Sequence, residues 1–183
     1  RTAEMLAGGI DLMVEVPPVA LSEFQDTDTY TVHEQAGPHV WFLILNAKEG
    51  PFADKRVRQA ANYAVNKEAI VNDVLEGTAE VAAGPTPPAF AWAYNEALEP
   101  YPYDPDRARD LIAEAGAEGA ELTFFVTEGG SGMLDPVAMG TAIQADLEAV
   151  GFDVAIETYE WNTFLGEVNP GLEGKADMAE MAW

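Results

Sequence analysis

The spacing of hydrophobic residues between positions 40 and 77 predicts a buried strand followed by two helices. Residues 40–45 are an uninterrupted apolar run that ends at Asn46, as is typical of a strand in a protein core. Asp54 is the expected cap of the first helix, and Asn66 is the expected cap of the second, which Gly77 ends. Apolar residues at helical spacing form the two inner faces: Val57, Ala60, Ala61, Ala64 and Val65 in the first helix, and Ile70, Val71, Val74 and Leu75 in the second.

The second half of the chain has the pattern of an α/β domain. Strands are predicted at 122–126 and 152–156, with a helix at 136–150 between them. A strand–helix–strand unit of this length indicates parallel strands joined by a right-handed crossover. Three further elements are predicted: a helix from the Asp104 cap to Gly116, a short helix that starts at 160–165, and a last strand at 176–183.

The remaining segments carry weaker patterns. Residues 1–6 predict the end of a helix, and the alternation in residues 10–16 predicts a strand that Pro17 stops. Ser22 is the expected cap of a short helix. Residues 78–102 contain several Pro and aromatic residues, so we expect an ordered loop pinned by its aromatic side chains.

The charge balance excludes one class of partner. The chain has 183 residues, with 32 acidic against 9 basic residues and a formal net charge of −23. Such a surface repels phosphate backbones, so nucleic acid is not expected as a partner. Because the acidic residues form no continuous run, a solubilising acidic shell explains them. With zero Cys, disulfides and thiolate chemistry are excluded.

The loop at residues 129–132 (Gly-Gly-Ser-Gly) lies between a strand and a helix, where phosphate loops and nucleophile elbows also lie. The Gly-x-Ser-x-Gly pattern fails because Met133 occupies its last position, and no His follows in the chain. No Gly-Lys-Ser or Gly-Lys-Thr sequence follows either. A ligand-facing loop is the favoured interpretation; an acidic secreted hydrolase that uses this loop is the alternative.

Metal and anion sites are not favoured. His33 and His39 have neither thiols nor patterned carboxylates nearby, so both are expected to be surface or loop residues, and neither a metal nor a cofactor is expected. Five of the nine basic residues lie between Lys48 and Lys67. They could form a carboxylate site, but an architectural role in pairing with nearby acids is the favoured interpretation.

The order of residue types after the first strand resembles a known family. The strand that ends in Asn46 is followed by PFADKRVRQAANYAVNKEAI at 51–70, and GPTPP at 84–88 leads to YDP at 103–105. These stretches closely resemble the family 5 extracellular solute-binding proteins, which are the dipeptide, oligopeptide and nickel receptors of ABC importers. The resemblance covers nearly the whole chain.

The resemblance implies an α/β fold: lobe II of a type II periplasmic-binding-protein-like fold, with a mixed sheet flanked by helices. Residues 1–36 would be the end of lobe I and the connection, and residues 37–183 would be lobe II. Strands 40–46 and 178–183 would cross between the lobes near the hinge. The chain begins at Arg1 and ends at Trp183 after a predicted strand, so we expect a fragment of a larger exported protein.

The function implied is the substrate-binding component of an ABC importer, for peptides or peptide-like solutes held between two lobes. The expected partners are the solute, the permease subunits and the missing lobe I. We expect a monomeric, periplasmic or extracellular protein that is not an enzyme. A structural or interaction domain is a further alternative.

The predicted ligand wall is built from aromatic residues and the glycine-rich loop. By resemblance, Trp161 and Trp183 match positions that face the ligand pockets in peptide-binding members. An indole ring covers a variable side chain with apolar area and demands little hydrogen-bond geometry. The other predicted ligand-binding residues are Gly130, Ser131 and Met133 in the loop, and Phe42 and Ile44 on the first strand.

One departure from the family bears on specificity. Dipeptide receptors have an Arg in the loop before the helix that begins at Pro136, where it anchors the ligand carboxylate. This chain has Gly-Gly-Ser-Gly-Met at that place and no Arg after Arg109. Other peptides, opines, sugars and small organic ligands therefore stay open as solutes.

Overall fold

The computed structural model describes residues 1–35, 37–130 and 132–182. Seven α-helices lie in this part of the chain: α1 Thr2–Leu6, α2 Leu21–Gln25, α3 Lys55–Ala64, α4 Lys67–Ala69, α5 Pro105–Ala115, α6 Pro136–Ala149 and α7 Trp161–Val168. The strands are β1 Trp41–Leu45, β2 Glu121–Thr127, β3 Asp153–Tyr159 and β4 Met178–Ala182. Short 3-10 turns occur at Pro18–Ala20, Pro51–Ala53 and Pro88–Phe90.

The four strands form one mixed sheet in the order β1-β4-β2-β3. Strands β2 and β3 are parallel and joined through α6, which confirms the predicted strand–helix–strand unit. Strand β4 lies between β1, to which it is antiparallel, and β2, to which it is parallel. The strand that begins the sheet in sequence and the strand that ends it are therefore direct neighbours.

The main core lies on one face of the sheet, which helices α3, α5 and α6 cover. Apolar side chains of the sheet, among them Leu122, Phe124, Val126 and Met178, are buried against these helices. The predicted inner face of α3 is confirmed, since its four apolar residues and Val65 are all buried. The predicted caps are confirmed too, because Asp54, Asn66 and Asp104 each accept a backbone hydrogen bond in the first turn.

The second predicted helix is not a uniform α-helix. After α4 the chain continues as a π-helical turn, Ile70–Val74, which widens the helix before it ends at Gly77 with a φ of 73°. Ile70 and Leu75 are buried, whereas Val71 and Val74 are only partly buried. The widened turn thus brings two of the four predicted inner residues fully into the core.

Two predictions in the N-terminal segment are wrong. Residues 10–16 form no strand, and Leu12 and Val14 are 80% and 62% exposed, because no described strand lies alongside to pair with this alternating run. Ser22 is not a cap either. Pro18 starts a 3-10 turn that leads straight into α2, so Ser22 lies inside the helix and Ala20 is its N-cap residue.

Residues 78–102 form the predicted loop, with Pro88–Phe90 as its one helical turn in the described structure. Tyr101 packs edge-to-face on Tyr63 of α3, with ring centroids 5.0 Å apart. Trp92, by contrast, is 87% exposed. The aromatic side chains therefore pin this loop at its end and not along its whole length.

Candidate functional site

The second face of the sheet carries a smaller apolar cluster and is covered by a single helix. Phe42, Ile44, Phe125, Ala179 and Met181 lie on this face, which we call the site face. Sheet register places them in rows, with Phe42 opposite Met181 and Ile44 opposite Ala179. Phe42 and Ile44 are only partly buried, so the β1 side of the site face offers apolar surface that the described residues leave partly exposed.

Helix α7 covers the other side of the site face. Glu160 caps the helix through its carboxylate, which accepts the backbone N–H groups of Asn162 and Thr163. This start places Trp161 at the edge of the sheet, where its ring stacks on Phe164 with a centroid distance of 5.9 Å and an interplanar angle of 14°. Phe164 is fully buried, whereas Trp161 is partly exposed. The indole therefore has a fixed position and an accessible edge.

Trp161 lies directly on the glycine loop, which we define by its described residues Gly129, Gly130, Gly132 and Met133. A Cβ atom added at Gly130 would lie 2.6 Å from Cζ3 of Trp161 and 3.1 Å from the Met133 sulfur. A side chain at position 130 would therefore force the indole ring or the Met133 side chain to shift. Gly130 and Met133 also form an isolated antiparallel bridge, which closes the loop on itself. Gly130 is thus in contact with both Met133 and Trp161.

A second ring packs on the same loop. A Cβ atom added at Gly132 would lie 2.6 Å from Cγ and Cδ2 of His39, and Gly132 has a φ of 74°. His39 comes from the segment just before β1 and is exposed, as predicted for both histidines. Gly130 and Gly132 therefore each lie against a ring, the first against an indole from α7 and the second against an imidazole from the segment just before β1.

A buried carboxyl group lies behind the loop. Glu180 of β4 is 0% exposed, and its Oε1 accepts the backbone N–H of Thr127 at 2.8 Å. Burial raises the pKa of Glu180 to about 8, and the Thr127 hydrogen bond opposes this rise only in part. The Thr127 hydroxyl in turn donates to the Gly129 carbonyl at 2.7 Å. Glu180 is thus connected through Thr127 to the first residue of the glycine loop.

At the edge of the site face, Tyr159 packs edge-to-face on Phe125, with ring centroids 5.0 Å apart. Its hydroxyl donates to Glu157 Oε2 at 2.6 Å, and this bond raises the pKa of Tyr159 to about 12. The polar groups described around the site face thus include the Tyr159 hydroxyl, the His39 imidazole and the Glu180 carboxyl group.

Three of the five clustered basic residues make architectural contacts, although only Arg56 among these three pairs with an acid, as had been predicted for the cluster. Arg56 binds the Asp54 carboxylate and the Glu114 carbonyl, and Arg58 donates to the Phe52 carbonyl at 2.7 Å. Lys67 donates to the Asn62 carbonyl at 2.7 Å. These contacts stabilise the helices on the opposite face of the sheet from α7.

The structure brings together five of the predicted ligand-binding residues on one side of the sheet: Phe42, Ile44, Gly130, Met133 and Trp161. Ser131 and Trp183 lie outside the described residues. Four residues around the site face were not predicted: His39, Phe125, Tyr159 and Glu180. Phe125 and Tyr159 could have been found from strand alternation, whereas His39 and Glu180 reach the loop through contacts between distant parts of the chain that no local pattern shows.

Within the described ranges, no three His, Asp or Glu side chains come together as metal ligands. Over the same ranges, no helix is both long enough and apolar enough to cross a membrane.

Comparisons with known proteins identify one family over the full chain. The profile of bacterial extracellular solute-binding proteins, family 5 Middle, matches residues 1–183. Heme-binding protein A of Haemophilus influenzae is 34% identical over 181 residues, covering 95% of this chain and 33% of that protein. The dipeptide-binding protein of Escherichia coli K12 is 31% identical, covering 100% of this chain and 34% of that protein. The chain thus spans about a third of the length of these relatives.

Solved structures of similar proteins share the fold. The periplasmic binding protein DppA of Helicobacter pylori, in complex with the peptide STSA, superposes with a TM-score of 0.88 at 30% identity, covering 100% of this chain and 34% of that one. A dipeptide-binding protein of Pseudoalteromonas sp. SM9913, in complex with Met-Leu, gives 0.87 at 26% identity, covering 99% and 35%. The predicted fold class, a mixed sheet flanked by helices in a periplasmic-binding-protein architecture, is confirmed.

Proposed function

The chain belongs to the bacterial extracellular solute-binding proteins of family 5, and we propose that it forms one wall of the cleft in which such a protein holds its solute. The observation that carries the proposal is the position of Trp161, fixed on the glycine loop beside an apolar sheet face that is only partly covered. A pocket wall of this kind binds apolar side chains by area and leaves their identity variable.

We further propose that residues 37–183 are one lobe and that residues 1–36 are the end of the other lobe and the connection to it. The sheet supports this division, because all its strands lie between Trp41 and Ala182, and Trp41 pairs directly with Ala182. The start of β1 and the end of β4 therefore lie at the same end of the sheet. Two neighbouring crossings there would form the hinge about which the lobes close on the solute.

For the solute we propose peptides or peptide-like molecules with apolar side chains. The site face and Trp161 supply apolar area, and the chain has no Arg after Arg109 to bind a ligand carboxylate from the glycine loop. In this proposal the protein acts outside the cytoplasm, as a monomer, and delivers its solute to the permease subunits of an ABC importer. Its remaining cleft wall comes from lobe I of the same longer protein.

One observation favours the hydrolase alternative. No His follows the loop in the chain, but His39, which precedes it, packs on Gly132, so an imidazole lies beside the loop. Activated nucleophiles need such a base within hydrogen-bond reach. If the loop were catalytic, the natural protein would hydrolyse p-nitrophenyl acetate or Met-Leu, and Ser131→Ala would abolish the turnover. We expect no turnover above that of the Ser131→Ala variant.

The binding proposal is tested by calorimetry of the natural protein with the peptides Met-Leu and Ser-Thr-Ser-Ala as probes. We expect Trp161→Ala to weaken peptide binding about tenfold, because it removes a buried aromatic contact. Trp92→Ala is the matched control, since that indole is 87% exposed in the 78–102 loop. Equal affinities of the two variants would show that Trp161 is not part of the peptide-binding site.

The two-lobe arrangement has its own test. The 183-residue chain alone is expected to bind both peptides far more weakly than the natural protein, since half of the contacts and the exclusion of water by closure are missing. Binding by the isolated chain as tight as that of the natural protein would contradict this arrangement.

A further inference from the structure

The ladder between β4 and β2 is unusually short and ends next to the glycine loop. Strands β2 and β3 are paired over seven residues, from Glu121 to Thr127. Strands β2 and β4 are paired only at Phe124–Met178 and Phe125–Ala179, after which the two strands separate. The sheet therefore splits between these strands at the end where β2 runs into the glycine loop.

Two acidic side chains, one from Asp177 just before β4 and one from Glu180 within β4, bind the backbone of β2 at the two ends of this short ladder. Asp177 Oδ2 accepts the Thr123 N–H at 2.9 Å at one end, and Glu180 Oε1 accepts the Thr127 N–H at 2.8 Å at the other. Alternate residues of a strand direct their N–H groups to the same side, so Thr123, Phe125 and Thr127 all face β4. Glu180 thus takes the place of a backbone acceptor that β4 no longer provides.

The Glu180 carboxyl group is fully buried, and within the described part of the chain only one of its two oxygens is hydrogen-bonded. Glu180 has no exposed surface, and its Oε2 has no hydrogen-bond partner among the residues that the structure describes. Leaving a buried oxygen unpaired costs free energy, so an apolar residue would be the more stable choice if filling space were the only requirement. The polar group that this position does satisfy is the Thr127 N–H.

From this geometry we propose that Glu180 is a positioning residue: its carboxyl group bridges the split between β4 and β2 and thereby holds the glycine loop against Trp161. The link runs from Glu180 to Thr127 by one hydrogen bond, and from the Thr127 hydroxyl to the Gly129 carbonyl by a second. Gly130, the next residue, lies under the Trp161 ring. That this loop faces a solute rests on the function proposed above.

Three variants separate positioning from general stability. Glu180→Met removes the acceptor but keeps an apolar side chain of similar length. Glu180→Gln keeps a carbonyl oxygen at the same place, and it imitates the neutral carboxyl group that burial favours. Asp177→Ala is the matched control, because it removes the acceptor at the far end of the same ladder.

The measurement is amide hydrogen exchange of the natural protein without solute, resolved to single residues. We expect Glu180→Met to accelerate exchange at Thr127 and in the glycine loop about fivefold, the effect of losing one typical hydrogen bond. Glu180→Gln is expected to restore slow exchange, and Asp177→Ala to accelerate exchange at Thr123 alone. Three results would overturn the proposal. Glu180→Met could accelerate exchange equally at Thr123 and Thr127, or it could leave exchange at Thr127 unchanged. Glu180→Gln could fail to restore slow exchange at Thr127.

Calorimetry with Met-Leu and Ser-Thr-Ser-Ala adds the functional readout. If the natural protein binds either peptide, we expect Glu180→Met to weaken that binding and Glu180→Gln to restore it; unchanged affinity would overturn the positioning role. If the natural protein binds neither peptide, the peptide proposal fails. The exchange comparison then still decides whether Glu180 holds the loop.

Discussion

Among the described residues, Glu180 is the one acidic residue that is fully buried. Burial raises its pKa from the usual 4.5 to about 8. Between these two values the unfolded chain has lost the proton while the folded chain still holds it. The contribution of Glu180 to stability is therefore full below pH 4.5 and is lost as the pH rises through 8.

This linkage predicts a specific change in the pH profile of stability. Since each unit of pKa shift corresponds to about 1.4 kcal/mol, the free energy of unfolding should fall by on the order of 4 kcal/mol through Glu180 between pH 5 and pH 9. The Gln side chain of Glu180→Gln cannot ionise. Measured by urea denaturation, the free energy of unfolding of this variant relative to that of the wild type should therefore increase across that interval. All other acidic residues are the same in the two proteins, so their contribution cancels when the two pH curves are compared. A constant difference between them would contradict the buried ionisation.

Two adjacent glycines allow a second prediction at the residue scale. Gly130→Ala should destabilise the protein by about 2 kcal/mol and displace Trp161, because the new methyl group would lie 2.6 Å from the indole ring. Gly129→Ala is the control, since a Cβ atom there meets nothing within 4 Å. The measurements are urea denaturation and the NMR shift of the Trp161 indole N–H. The same response from both variants would show that the ring does not rest on Gly130.

The residues that could be predicted from sequence act over short distances. Asp54, Asn66 and Asp104 are caps whose hydrogen bonds reach two or three residues along the chain, so local order is sufficient to find them. Glu180 and His39 have their roles only after the sheet brings β4 and the segment before β1 to the glycine loop. No local pattern distinguishes Glu180 from the surface acids or His39 from His33.

At the scale of elements, local signals are sufficient for a helix, whereas a strand also needs a partner. A helix satisfies its backbone hydrogen bonds internally, so the apolar period and a cap are enough to predict α3, α5 and α6. A strand depends on a neighbour. Residues 10–16 alternate as a strand should, yet they form none, because no described strand lies beside them.

Helix α5 provides a test of how much one cap contributes. Asp104 and Asp106 flank Pro105 at the helix start, but only the Asp104 carboxylate accepts a backbone bond, from the Arg107 N–H at 2.9 Å. Asp104→Ala should therefore lower the free energy of unfolding by about 1 kcal/mol. Asp106 is paired with Arg109 on an exposed surface, so Asp106→Ala should cost less than half as much. Equal losses in urea denaturation would mean that general charge at the helix start, and not the cap, matters.

At the scale of the whole molecule, the arrangement of strands came from two kinds of inference. The parallel pair β2–β3 follows from chain geometry, because a helix of this length returns the chain in the same direction. The position of β4 between β1 and β2 does not follow from periodicity. It was implied only in part by the family resemblance, which placed the first and last strands near one hinge. The observed adjacency of Trp41 and Ala182 agrees with that expectation.

The net charge of −23 should make the stability of the molecule depend on salt. Five ion pairs join described residues, and the side chains in all of them are at least 35% exposed, so they offset little of the repulsion among 32 acidic groups. Raising NaCl from about 10 mM to about 0.5 M shortens the Debye length from about 30 Å to a few ångströms, which screens this repulsion. We therefore expect the midpoint of thermal unfolding to rise over this range and to level off.

KCl should give the same curve, because screening depends on ionic strength and not on the cation. A midpoint that falls with salt would show that attraction between charges outweighs their repulsion, and a rise with only one of the two salts would indicate a bound cation in place of screening.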